Sequence, residues 1–127
     1  MTDRKRVLLV EDDPEMRAVI AAFLSPDNFD VTEADDAKVA TQNLSEGGSF
    51  DLAIIDFWLG QDHAVSIMDA ITSQEYSIPI IMISGGKRGM DLEATAAIAD
   101  ISGAVVFLQK PFRKATFLKA VATALAT

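Results

Sequence analysis

Short apolar runs punctuate the chain at Val7–Val10, more weakly at Phe29–Thr32, and again at Leu52–Ile55, Ile78–Ile83 and Ala104–Leu108. Within them apolar residues follow one another instead of alternating with polar ones. That pattern predicts strands covered on both faces, as in a parallel sheet. The intervening stretches carry helical periodicity. Met16, Val19, Ile20, Phe23 and Leu24 recur at helical spacing and fall on one stripe. Asp13 fits the N-cap of that helix and Pro14 its first turn. Ala37, Ala40 and Leu44 predict a second helix that Gly47-Gly48 stops, and Ala64, Ile67, Met68 and Ile71 a third. An alanine-rich segment, 92–101, predicts a fourth, and Phe117, Leu118, Val121 and Leu125 the last.

Strands alternating with helices predict an α/β fold with helices on both faces of the sheet. Right-handed crossovers make it doubly wound, and five strands favour the flavodoxin-like order 2-1-3-4-5. A chain of 127 residues is expected to form one domain over 1–127.

Composition then narrows the function. The absence of cysteine excludes disulfides, thiolate metal sites and cysteine nucleophiles, and agrees with an expected cytoplasmic location. The longest apolar stretch falls far short of the ~20 residues that cross a bilayer. The charged start, Met1-Thr-Asp-Arg-Lys-Arg, is followed by too short an apolar run for a signal peptide. A net charge of −8 without a concentrated basic patch argues against direct nucleic-acid binding and against an anionic membrane surface.

The candidate chemistry lies where the strands stop. Strand 1 runs into Glu11-Asp12-Asp13, strand 3 into Asp56, strand 4 into Ser84, and strand 5, after Gln109, into Lys110-Pro111. In a parallel sheet these ends share one edge, the edge where ligands bind. Alone, each residue reads as a turn, a cap or a solvated loop position. Together, Glu11, Asp12 and Asp56 bring three negative charges against the one positive charge of Lys110. Clustered carboxylates repel, and a divalent cation neutralises the excess. All-oxygen donors favour Mg²⁺, which takes one or two protein carboxylates plus waters. Asp56 is then a candidate carboxylate nucleophile of the kind that forms an aspartyl-phosphate, with Lys110 and Ser84 placed to hold the phosphoryl oxygens.

These residues resemble the receiver domain of bacterial two-component response regulators. The matching pieces are Val7-Leu-Leu-Val-Glu-Asp-Asp-Pro-Glu-Met-Arg17, Asp51-Leu-Ala-Ile-Ile-Asp56, Ile80-Ile-Met-Ile-Ser-Gly-Gly86 and Lys110-Pro-Phe112. Their order and spacing follow the family over essentially the whole chain. The resemblance implies that Glu11 and Asp12 handle Mg²⁺ and that Asp56 is both phosphoacceptor and metal ligand. The Trp58 backbone carbonyl becomes a further metal contact and Ser84 the switch hydroxyl. Lys110 is the partner of the phosphoryl group, and the Lys110–Pro111 bond is cis. It implies a histidine kinase or phosphotransfer protein as phosphodonor and a downstream protein target. It also implies a homodimer through helix 4, strand 5 and helix 5 as one mode of assembly. The expected protein is a stand-alone receiver, not an enzyme beyond self-phosphorylation from small donors and autodephosphorylation.

Some positions depart from the family pattern. Gly60 stands where proline is common and Ala64 where glycine is usual, which predicts a differently shaped loop after Asp56. Phe107, at the aromatic switch position, keeps a ring without a hydroxyl. Ser84-Gly-Gly-Lys-Arg-Gly89 resembles a receiver subgroup with a lengthened loop before helix 4. Its Lys87-Arg88 pair reads as solvated, as does His63 in the loop after strand 3. Trp58 reads equally as a shield over the site or as an exposed ring. Three rivals remain: a receiver-like binding module that is never phosphorylated, a haloacid-dehalogenase-type Mg²⁺ phosphohydrolase, and a flavin-binding protein. The hydrolase requires a second aspartate where Trp58 stands. Flavin binding requires a phosphate-cradling loop where Glu11-Asp12-Asp13 stands.

Overall fold

The apolar runs become the strands of one parallel sheet in the computed structural model, which describes residues 4–46, 49–59, 62–73, 78–85, 92–101 and 103–126. The elements are β1 (Lys5–Val10), α1 (Pro14–Phe23), β2 (Phe29–Ala34), α2 (Ala37–Glu46) and β3 (Leu52–Asp56), then α3 (Val65–Thr72), β4 (Ile80–Ser84), α4 (Leu92–Ile101), β5 (Val106–Gln109) and α5 (Lys114–Leu125). The sheet order is β2-β1-β3-β4-β5, the doubly wound order expected from the strand–helix alternation.

Side-chain alternation divides the sheet residues between two cores. Leu8 and Val10 of β1, Ala53 and Ile55 of β3, and Ile80 and Met82 of β4 face one side, under α2 and α3. Val7 and Leu9, Leu52 and Ile54, and Ile81 and Ile83 face the other, under α1 and α5. Both faces exclude water, so the central strands are apolar at consecutive positions. An aromatic ladder extends the second core: Phe112 stacks on Phe117 and Phe117 meets Phe23, each pair 5.7 Å apart at the ring centroids. It ties the chain just beyond Lys110 to α5 and α1.

Local chemistry sets the helix starts. Asp13 caps α1, its carboxylate accepting from the Glu15 N–H at 3.0 Å. Asp36 does the same for α2, accepting from the Val39 N–H at 2.8 Å. Ala64 opens α3 with φ −80° and ψ −1°, a conformation that needs no glycine. Its N–H donates to the Phe57 carbonyl at 2.9 Å, closing the segment after β3.

Three features correct the sequence expectation, the simplest being β5, which runs Val106–Gln109 and leaves Ala104 and Val105 outside it. The segment after β3 is not simply a loop: Trp58–Leu59 and Asp62–His63 pair as a two-stranded antiparallel ribbon. Its strands are too short to show an alternating apolar pattern. Ile78 also lies outside β4, although it is buried, because it packs into the α2–α3 core ahead of Pro79. The positions of Gly47-Gly48, Gly60 and Lys87-Arg88 lie outside the described residues.

Candidate functional site

The parity that sorts the core also aims the site. Glu11 continues the Val7–Leu9 face of β1, Asp56 the Leu52–Ile54 face of β3, and Lys110 the Val106–Leu108 face of β5. All three side chains therefore leave the C-terminal edge of the sheet on the α1–α5 side. They meet there. The Lys110 ammonium donates to Glu11 Oε1 at 2.8 Å and to Asp56 Oδ2 at 3.2 Å. One lysine thus bridges chain segments 99 and 54 residues away.

Asp12 joins from the turn. Carboxylate oxygens of Glu11, Asp12 and Asp56 lie within 4.8 Å of one another. Their environments differ: Glu11 is fully buried, Asp56 nearly so, and Asp12 is exposed. The other Glu11 oxygen, Oε2, accepts from the Asp13 N–H at 3.3 Å. The second Asp56 oxygen, Oδ1, accepts a long bond from the Trp58 N–H at 3.4 Å. The Glu11 backbone is held as well. Its N–H donates to the Ala34 carbonyl at 3.0 Å, and its carbonyl accepts from Arg17 Nη1 at 2.9 Å.

Ser84 ends β4 in full burial. It follows Ile80 and Met82 in parity and so belongs to the α2–α3 face of the sheet, as does Phe107 of β5. The register pairs Met82 with Phe107 and Ser84 with Gln109, which sets hydroxyl and ring on the same face of adjacent strands. The Ser84 carbonyl accepts from the Lys110 N–H at 2.9 Å, linking it to the acidic cluster through the backbone. The Lys110–Pro111 peptide is cis. Trp58 is not an exposed ring: it is half-buried, packs against the α2–α3 core and meets Phe57 edge-on at 4.8 Å. His63 pairs with Trp58 in the ribbon and so is a strand residue instead of a loop residue.

The electrostatics are unbalanced. Three carboxylates face one ammonium, and two of the three are buried. Burial pushes the Glu11 carboxyl up to about 8, with Asp56 adding to the rise and Lys110 opposing it only in part. For Lys110, burial works to lower the pKa. The hydrogen bond to Glu11 and the charge of Asp56 outweigh it and hold the ammonium above its ordinary value. A cluster of hard oxygen donors, over-supplied with negative charge and open at Asp12, suits a small divalent cation such as Mg²⁺. Arg17, the residue gripping the Glu11 carbonyl, is absent from the sequence expectation. A long side chain reaching a backbone oxygen leaves no spacing signature.

Comparison with known proteins points the same way. The family model for the response regulator receiver domain matches residues 7–122. The chain is 33% identical over 121 residues to the regulatory protein VirG of Rhizobium rhizogenes, covering 95% of this chain and 48% of VirG. It therefore spans about half the length of that relative. The receiver domain of the sensor histidine kinase PA1611 from Pseudomonas aeruginosa PAO1, solved with magnesium coordinated in its active-site cleft, is 25% identical. It superposes with a TM-score of 0.82, covering 98% of this chain and 100% of that one. The beryllofluoride-activated NtrC4 receiver domain, solved as a dimer, is 26% identical with a TM-score of 0.82, over 95% and 96% of the two chains.

Proposed function

Because the chain belongs to the response regulator receiver domain family of two-component signalling, we propose that it accepts a phosphoryl group on Asp56 from the phosphohistidine of a partner kinase or phosphotransfer protein. The observation that carries this reading is the Lys110 ammonium held between Glu11 and Asp56. It sets a positive charge directly against the buried Asp56 carboxylate, the candidate nucleophile. In the transfer, an Asp56 oxygen forms a bond to phosphorus as the phosphorus–nitrogen bond of the donor histidine breaks. The imidazole leaves with the electron pair of that bond, and an acyl phosphate remains on Asp56. Phosphoryl transfer asks mainly for positioning and charge neutralisation, which this short inventory provides.

Glu11, Asp12 and Asp56, together with the Trp58 carbonyl that the family pattern adds, would hold Mg²⁺. Bound there, it supplies the positive charge that lets two anions approach each other. Lys110 stays paired with the new charge. Ser84 gains a contact with the phosphoryl group in the phosphorylated state. A contact present in only one state biases a two-state equilibrium. Phe107, on the same sheet face as Ser84, repacks with it and passes the change to the surface of α4, β5 and α5. The output is protein contact with a downstream target or a second copy of the chain. The domain is a phosphoacceptor and not a turnover enzyme, apart from self-phosphorylation by small donors and autodephosphorylation. It works in the cytoplasm, and no described helix is long and apolar enough to cross a membrane.

Trp58 is the sole tryptophan and adjoins the site, so its fluorescence reports occupancy. Addition of Mg²⁺ followed by beryllofluoride is expected to change the emission in the wild type, and the beryllofluoride step is expected to vanish in Asp56→Asn. An unchanged signal in the wild type, with no mass gain from a phosphodonor, identifies a binding-only module. Sustained turnover of phosphoesters identifies a hydrolase.

A further inference from the structure

The turn that carries the acidic pair is held by more than its own sequence. Arg17, on the first turns of α1, forks. Its Nη1 donates to the Glu11 backbone carbonyl at 2.9 Å and its Nε to Glu33 Oε1 of β2 at 3.1 Å. The side chain is 23% exposed while that of Glu33 is 48% exposed, so the carbonyl arm points inward and the ion pair outward. The Glu11 carbonyl belongs to the peptide that joins Glu11 to Asp12. A trans peptide is planar, so fixing that carbonyl fixes the Asp12 N–H on the opposite side and limits where the Asp12 side chain can go. The Glu11 N–H bond to Ala34 lies one peptide earlier and the Asp13 N–H bond to Glu11 one peptide later.

We infer that Arg17 is a positioning residue for the candidate metal site. It orients the Glu11–Asp12 peptide so that the exposed Asp12 carboxylate stays within 4.8 Å of the buried Glu11 and Asp56 carboxylates. The inference rests on the proposal that these carboxylates bind Mg²⁺. It also explains why an arginine, not a lysine, stands there: one planar fork serves the carbonyl and Glu33 together, which a single ammonium cannot do. Asp12 differs from its two partners in its surroundings. Glu11 and Asp56 are confined by packing and by Lys110, whereas Asp12 lies at an exposed turn.

The test compares Mg²⁺ affinity with stability in the full chain. The dissociation constant is read from Trp58 fluorescence and from backbone amide chemical shifts, and thermal unfolding is measured without metal. Groups that orient metal ligands typically contribute on the order of 10–100-fold to affinity, and a half-exposed one belongs at the lower end. R17M keeps the apolar stem and removes the fork. It is expected to weaken Mg²⁺ binding about tenfold and to shift the Asp12 and Asp13 amide signals even in metal-free protein. R17K recovers part of the affinity because an ammonium can still reach the carbonyl. E33Q, which removes only the outer ion pair, stays within about twofold of the wild type. If R17M unfolds, R17K and E33Q alone decide the matter: R17K must bind Mg²⁺ more weakly than E33Q. R17M with a lower melting temperature but wild-type Mg²⁺ affinity overturns the inference and leaves Arg17 a tether between α1 and β2. Wild-type protein that binds no Mg²⁺ overturns the metal reading itself, and the inference falls with it.

Discussion

The two ends of the parallel sheet treat their charged residues in opposite ways. At the N-terminal end, Arg6 of β1 and Asp51 ahead of β3 exchange bonds one for one. The Arg6 N–H donates to Asp51 Oδ2 and the Asp51 N–H to the Arg6 carbonyl, both at 2.8 Å. The Arg6 guanidinium lies 4.8 Å above the Phe50 ring and donates to the Ser49 carbonyl at 2.8 Å. Asp51 is exposed, so water solvates its charge and the carboxylate serves as an acceptor for a backbone N–H. At the C-terminal end, Lys110 answers Glu11 and Asp56 while Asp12 stands beside them, and two of those acids are buried. The first arrangement only fastens β1 to β3. The second is electrostatically incomplete, and an additional cation completes it. Burying more carboxylates than cations is costly to a fold, whether the excess stays charged or takes up a proton, so that excess at the C-terminal edge marks it as the site of function.

Substitutions that remove this contrast should show it in order of size. The largest effect on stability is expected from Lys110→Met, which leaves Glu11 and Asp56 facing each other without a cation. Metal-free protein should lose about 2–3 kcal/mol in urea unfolding at neutral pH. A loss no greater than that of an ordinary surface lysine would show that the bridge is not important.

Glu11→Gln should act in the opposite direction. A glutamate in an unfolded chain titrates near 4.5, whereas Glu11 in the folded protein is raised to about 8. Between those values the folded state keeps the proton that the unfolded state has released. Stability of the metal-free wild type therefore declines as pH rises from about 4.5 towards 8 through this group. Glu11→Gln should flatten that decline, making the metal-free protein more stable near pH 8 by about 1 kcal/mol while weakening Mg²⁺ binding. Equal slopes in the two proteins, measured by urea unfolding across this range, would remove Glu11 as their source.

Asp51→Asn, at the solvated end, should have the smallest effect: a loss of about 1 kcal/mol or less and an unchanged Mg²⁺ titration. A change in Mg²⁺ affinity there would break the contrast between the two edges.

How much of this was legible in the sequence follows from which interactions leave a pattern. The doubly wound order follows from apolar runs because a strand buried on two faces must be apolar at consecutive positions. The acid, hydroxyl and lysine positions follow from where those runs stop. The strand limits drifted at β4 and β5. Ile78 is buried without pairing in a strand, and Val105 donates its N–H to the Ile80 carbonyl at 2.8 Å just before β5 begins. Burial and strand pairing are different properties, and an apolar run fixes neither at its ends: Ile78 is buried but unpaired, and Val105 is exposed. The ribbon at Trp58–Leu59 and Asp62–His63 rests on backbone pairing, to which composition is blind. Ala64 takes backbone angles that suit alanine, and the Gly60 part of the loop lies outside the described residues. Arg17 leaves no such pattern because its partners are a backbone carbonyl and a residue on the neighbouring strand.

The most direct test of the central claim is covalent. The full chain is incubated with acetyl phosphate and Mg²⁺, its intact mass is measured, and the modified peptide is mapped. The account predicts a single phosphoryl group on the peptide holding Asp56, absent when Mg²⁺ is chelated and absent in Asp56→Asn. A wild-type chain that gains no mass, or an Asp56→Asn chain that gains the same mass as the wild type, would contradict it.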